Sequence, residues 1–358
     1  MIEPNCTPDS PAFCDLLGAL AQQAPQQHRS GAGLGRSVVA MRSAGMLEDS
    51  GVVDPAQTAR RLMRIGGANL SAARLYEGHV NALRIVEMHG TKEQCAQLAD
   101  AVKAGAFLGV WGADGTDPLR VDGTHLQGAK VYASGLGTVT HAIVSISGDA
   151  APRIALVQVQ DAARQSPGDW RMSGMRATCS GGYDFSGISL AEVEWVGPPG
   201  CYFSEPGFVS GVWRIAALQL GATLGLLDAA ARHLRARDRM EAEAQLIRLT
   251  PPLMRALGAE GLVIRAARFA EGREIHEHKD RGVALSASAR LLTEEIAQAA
   301  IVAVEQSVGL VHFDDQSETG RIAADLSVYL RQAARDALLL RVGQHAFNAD
   351  ASVWEMLQ

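Results

Sequence analysis

The sequence predicts an α+β, multidomain fold. It has an N-terminal helical domain over residues 1–105, a middle β-barrel or sandwich domain over 106–203, and a C-terminal four-helix bundle over 204–358. Three observations predict it. Over residues 107–146, apolar runs alternate with turn signals at Asp114-Gly115, Asp122-Gly123, Gly135 and Gly137, the pattern of short antiparallel strands joined by tight loops. Residues 54–104, before this island, carry apolar side chains at helical spacing. Residues 211–346, after it, are helix-patterned again and rich in Ala, Leu and Arg. A chain of 358 residues that is 47% hydrophobic can bury a large core.

Taken in order, residues 12–24 predict one helix, followed by a polar, glycine-rich loop from 26 to 36. The GAGLGR run at 31–36 follows no strand and lacks the lysine of a phosphate-binding loop, so it reads as an ordinary loop. Residues 54–89 are strongly helical. Leu75, Val80, Leu83 and Val86 recur at helical spacing, Glu77 and His79 interrupt the pattern, and Gly90 stops it. Residues 91–104 predict another helix, with Thr91 and Gln94 spaced as a capping box.

Strands are predicted over 107–111, 125–133, 141–147, 153–160 and 188–196. Gly197-Pro198-Pro199-Gly200 closes the region as a linker. Helices over 212–238, 250–271, 282–308 and 322–346 suit a four-helix bundle. Pro251-Pro252 is placed at the opening of the second of these, where missing N–H groups cost least.

Composition excludes several functions. Net charge is −6 and no basic block stands out, so nucleic acid is not an expected partner. Aromatics at 5% argue against a platform for stacking single strands. No uninterrupted apolar run approaches the roughly 20 residues that cross a bilayer, so no membrane partner is expected. The first ten residues lack the charge and apolar core of a secretory signal. Cys6, Cys14, Cys95, Cys179 and Cys201 are scattered, with no C-x-x-C pair; free thiols in a reducing cytoplasm are the plain expectation.

Three stretches carry a family resemblance: KVYASGLG at 130–137, GMRATCSGGYDF at 174–185, and LGATLGLLDAAARHLRAR at 220–237. In their order and spacing the chain resembles the acyl-CoA dehydrogenase superfamily of flavoproteins. The resemblance implies FAD as cofactor and an acyl thioester, or a related activated acyl compound, as substrate. It leaves the electron acceptor open. It places Tyr132 and Ser134 against the flavin ring, the hydroxyl donating to its N5 or O4 edge. Trp111 stands where the family has threonine, and Thr116 keeps a hydroxyl for the flavin or for substrate thioester and phosphate groups. Arg237 matches an arginine that reaches the flavin pyrophosphate across a subunit contact, which implies a homodimer or homotetramer. Glu305 and Gly309 match a segment near the adenosine half, with a carboxylate in place of the usual amide.

The family's dehydrogenases remove a proton alpha to the thioester with a glutamate. Counting along the matched Ala324-Asp325 segment lands on Ala333, and the position used by a minority of members falls at about Gly211. Neither accepts a proton. Three readings follow. Glu77, in a YEGH run that matches a segment facing the acyl pocket, substitutes as base or merely shapes that pocket and pairs with Arg74. Alternatively the chain is a flavin monooxygenase of the same fold, which needs no such base. Or it is an inactive partner homologue. His79, His141 and His312 lie in or beside the matched segments, where packed or surface roles are the plainer reading. The patch at 274–278 reads as a solvated helix end, and Glu294-Glu295 as an exposed pair.

Overall fold

A computed structural model describes residues 7–8, 10–148, 151–347 and 352–357; Cys6 lies outside them. Helix α1, Pro11–Ser30, starts where the Ser10 hydroxyl accepts the Phe13 N–H and ends at Gly31 in the left-handed region (φ 59°). It outruns the predicted 12–24 because Leu16, Leu20, Ala24 and Gln27 keep one face buried past Pro25. Helix α2, Gly35–Ser43, replaces the end of the predicted loop. The predicted helix over 54–89 is two, α3 (Pro55–Ala68) and α4 (Leu70–His89). They part at Asn69, whose extended backbone breaks the helix while its side chain accepts the Ala72 N–H and donates to Gln27 Oε1. Helix α5, Lys92–Lys103, opens on the Thr91/Gln94 capping box.

Among the described residues nine strands follow: β1 Leu108–Trp111, β2 Arg120–Asp122, β3 His125–Gln127, β4 Ala129–Ala133, β5 His141–Ile146, β6 Arg153–Gln158, β7 Gln165–Ser166, β8 Gly181–Asp184 and β9 Glu194–Val196. They form a four-stranded sheet ordered β1-β5-β6-β9, a β2-β3 hairpin and a three-stranded sheet ordered β4-β8-β7. Where a barrel or sandwich is expected, the strands fall in three separate sheets rather than one closed barrel. The all-antiparallel expectation is corrected too, because β1 pairs β5 in parallel. Period-2 patterning marks a strand but not its partner, which distant chain supplies. The predicted strand over 125–133 breaks at Gly128 (φ 110°), where an added Cβ would meet Pro118 O at 2.6 Å.

The C-terminal helices are α6 (Trp213–Arg235), α7 (Glu243–Glu271), α8 (Lys279–Val308), α9 (Glu318–Tyr329) and α10 (Arg335–Phe347). Helix α7 runs through Pro251-Pro252 rather than starting there. The carbonyls these prolines orphan belong to Ile247 and Arg248, on the exposed face where water reaches them. The predicted helix over 322–346 is α9 and α10, separated by a linker over 330–334 in which Ala334 has φ 62°. Helix α3 packs on α6 backbone to backbone: a Cβ at Gly221 would strike Met63 O, and one at Gly225 would sit 2.5 Å from Gly67 O. One hydrophobic cluster therefore joins Leu62 and Ile65 to Leu218 and Ala222.

The stretch Lys279–Phe313 is long and apolar enough, by length and composition, to cross a bilayer. Here it is packed against α6, α7 and α10 and buries Arg290 and Glu294.

Candidate functional site

A tight crevice with no room for a water molecule lies where α4, β1 and the end of β4 meet, lined by Arg74, Gly78, Gly109, Trp111 and Ser134. Lys130 sets its frame. This fully buried lysine reaches back to the turn after β1, giving Asp114 a 2.6 Å ion pair and the Ser145 hydroxyl a 2.9 Å bond. Burial pushes its ammonium below the usual lysine range, and Asp114 opposes that. The register of β4 against β8 slips between Lys130 and Ala133, a bulge. Tyr132 sits in it at φ 55°, so its ring is turned out and is 60% exposed, edge-on to Trp170 at 6.2 Å. A tyrosine held left-handed, with a large aromatic face to solvent, is strained backbone of the kind found at ligand sites.

Trp111 is buried and donates from Nε1 to Ser134 O at 3.0 Å, tying β1 to the residue after β4. Ser134 is half-buried, and the Ser180 hydroxyl donates to its oxygen at 3.1 Å. Ser180 in turn lies 2.8 Å from Thr178 Oγ1, which donates to Met175 O at 2.7 Å. The GMRATCS segment is thus a hydroxyl ladder under Ser134. Its far end is held by Asp325, whose carboxylate accepts the buried Met175 N–H at 2.6 Å and meets His28 Nδ1 at 3.2 Å. Gly174 is needed there because a Cβ would strike Ala324 O. Sequence reasoning passed over Asp325 as an anchor; its only signal was its place in the matched Ala324-Asp325 pair.

Glu77 is buried, and Arg74 donates to its Oε2 at 2.9 Å one helical turn away. Two phenols feel its charge. Burial first, then Glu77, pushes Tyr202 up to about 12, and the same causes raise Tyr329. A Cβ at Gly211 would lie 2.8 Å from Arg214 Nη2, the far end of a long side chain. That guanidinium is committed to Glu271 at 2.8 Å and Asn81 at 2.9 Å. Ala333 is exposed on the α9–α10 linker.

The other expected residues lie apart. Thr116 is exposed on the turn before β2. Within one chain Arg237 does not share the Trp111–Ser134 cleft; it borders a separate hollow with His233, Asp314 and Glu318. Its exposed guanidinium donates to His233 O at 3.3 Å, at the cationic end of α6 beside Arg232 and Arg239. Glu305 is exposed on the last turn of α8, and Gly309 (φ 74°) caps that helix.

His79 is wholly buried. Its Nδ1 accepts the Leu108 N–H at 3.0 Å, so Nε2–H donates to Leu47 O at 2.7 Å. Burial lowers it to about 4, which leaves a neutral strut between α4 and β1. His141 and His312 each face a neighbouring threonine hydroxyl and are also lowered by burial. Glu294, expected exposed, is buried and meets Arg290 and Arg335 at 3.3 Å each. Cys14, Cys95, Cys179 and Cys201 are free thiols.

This arrangement of helices around small sheets is the acyl-CoA dehydrogenase fold. Solved structures that share it include the following three. FMN-bound TdsC, a dibenzothiophene monooxygenase from Paenibacillus sp. A11-2, is 19% identical with a TM-score of 0.83, covering 94% of this chain and 96% of that one. The methanesulfinate monooxygenase MsuC from Pseudomonas fluorescens is 17% identical with a TM-score of 0.78, covering 95% and 97%. KijD3, in complex with FMN and an amino-keto sugar nucleotide, is 18% identical with a TM-score of 0.77, covering 98% and 97%. No protein-family model matches the sequence, and no curated protein sequence does.

Proposed function

We propose that this protein is a flavin-dependent monooxygenase of the acyl-CoA dehydrogenase fold, rather than a dehydrogenase of acyl thioesters. One observation carries the reading. Neither position where such dehydrogenases keep their base holds a carboxylate, and the buried carboxylate nearby, Glu77, is already paired with Arg74. An alpha-proton abstraction has no obvious acceptor. TdsC and MsuC, both monooxygenases, support the alternative.

The residues suit a flavin. The outward Tyr132 ring offers a stacking face, Ser134 a polar edge beside it, and the Arg237 cluster a phosphate site for a second copy of the chain, so a homodimer or homotetramer completes the site. When bound in reduced form, a flavin supplies the two electrons that put one oxygen atom of O2 on the substrate and reduce the other to water. FAD was the expectation from sequence; the FMN in TdsC and KijD3, and the exposed carboxylate Glu305 where an amide would meet adenosine, favour FMN.

The test is spectroscopic. Purified protein titrated with FMN and FAD should bind a flavin, FMN the tighter. Anaerobic acyl-CoA thioesters should leave the bound flavin oxidised, whereas chemically reduced protein should consume oxygen on mixing. Bleaching by an acyl-CoA would restore the dehydrogenase reading. A protein that rejects both flavins would favour a partner homologue.

A further inference from the structure

A hollow of about 620 Å³ opens between α5 and the strands β5, β6 and β9, apart from the crevice at Ser134. Leu98, Leu156, Val157 and Ile188 give it apolar walls. Asp161, Arg164, Glu192 and Glu194 stand on the same walls. Tyr183, on β8, lines it too, and its ring also packs on Trp111 with centroids 5.5 Å apart.

Tyr183 is 1% exposed, yet its hydroxyl has no hydrogen-bond partner. The charges that reach this phenol are those of Arg164 and Asp161, both on the wall, so its polar end lies at the hollow. Only the Asp161 main chain approaches the oxygen, and nothing accepts the proton. Burial pushes the phenol up, which keeps that proton in place. A buried donor without an acceptor is costly. Here it borders a space of ligand size rather than packed core.

The charge on the walls is uneven. Arg164 meets Asp161 at 3.3 Å and spends Nη1 on Asp184 O and Ser186 O, so these two side chains answer each other. Glu192 and Glu194 are left over, with no ion-pair partner among the described residues. His141, beside them, does not balance them, because burial holds its ring below the ordinary histidine range and so uncharged near neutral pH. The hollow therefore favours a cation. No group of three His, Cys, Asp or Glu among the described residues could hold a metal ion, and the apolar walls suit a carbon chain. The Tyr183 proton calls for an oxygen acceptor on the same molecule.

We propose that this hollow binds an organic ammonium compound whose hydroxyl or carbonyl oxygen accepts the Tyr183 proton while its cationic end meets Glu192 and Glu194. The site is separate from the flavin reading and does not rest on it.

The experiment uses the full chain without added flavin, at neutral pH and constant ionic strength. The probes are straight chains of like length, substituted at their ends: aminopentanol, hexylamine, pentanediol and hydroxyhexanoate. Aminopentanol should raise Tm saturably. Hexylamine, which lacks the acceptor, should bind roughly tenfold more weakly. The neutral diol and the anion should leave Tm unchanged. Tyr183→Phe keeps the ring against Trp111, and in it aminopentanol should fall to the affinity of hexylamine, which itself should not change. Glu194→Gln should weaken both amines roughly tenfold. The proposal is overturned if neither amine shifts Tm saturably, or if the diol acts as strongly as the amines. It is also overturned if Tyr183→Phe leaves the two amines as far apart as in wild type, or if Glu194→Gln leaves both affinities unchanged. The comparison of the four probes on the wild-type chain decides the matter even if a variant fails to fold.

Discussion

The carboxylate of Asp325, on α9, accepts the main-chain N–H of Met175 at 2.6 Å across 150 residues of sequence. Through it the helical C-terminal region holds the GMRATCS segment, and with it the hydroxyls of Thr178 and Ser180 that support Ser134. Asp325→Ala leaves a buried N–H without an acceptor and should cost about 1–3 kcal/mol in urea unfolding. Asp325→Asn keeps an acceptor oxygen and should recover most of that. Equal losses in the two variants would show that charge rather than the hydrogen bond matters.

Gly174 lies flat on the same helix. Gly174→Ala places a methyl group against Ala324 O, with backbone on both sides and nothing flexible to yield. A loss of about 3 kcal/mol or more is expected, with flavin affinity falling in parallel because the ladder under Ser134 moves. Wild-type stability would mean that α9 can step aside.

His79 predicts a stability profile in acid. Its folded value, about 4, lies below the ordinary 6.5, so the folded state prefers the neutral ring. The stability that this contributes is present above pH 6.5 and is lost as pH falls from 6.5 through 4, at most about 3 kcal/mol. Urea midpoints between pH 7.5 and 4.5 should show the decline. His79→Gln should be less stable at pH 7 and flatter below it.

Tyr202 predicts the alkaline counterpart. Its phenol is pushed up to about 12, so the contribution is intact below pH 10 and is lost as pH rises from 10 through 12. Tyr202→Phe should unfold less steeply over that range. Glu77→Gln, which removes the second cause of the shift, should bring the phenolate absorbance of Tyr202 in at lower pH.

Glu77→Gln also tests the chemistry. If Glu77 is an ion-pair partner of Arg74 and not a base, oxygen consumption by the reduced, flavin-loaded variant should stay within a few-fold of wild type. A loss beyond about 100-fold would assign it proton transfer.

The sequence by itself determined the order helix, strand, helix and the cap at Thr91, because these are written in side-chain periodicity and turn chemistry within a few residues, while the motifs around Tyr132 and Ser134 came from a family resemblance. It also carried the most telling absence, the missing carboxylate at Ala333. Only the tertiary structure decided that β1 runs parallel to β5, that His79 is a neutral strut and that Glu294 is buried. Strand pairing, desolvation and hydrogen-bond satisfaction depend on groups brought together from distant parts of the chain, and no local pattern records which groups those are.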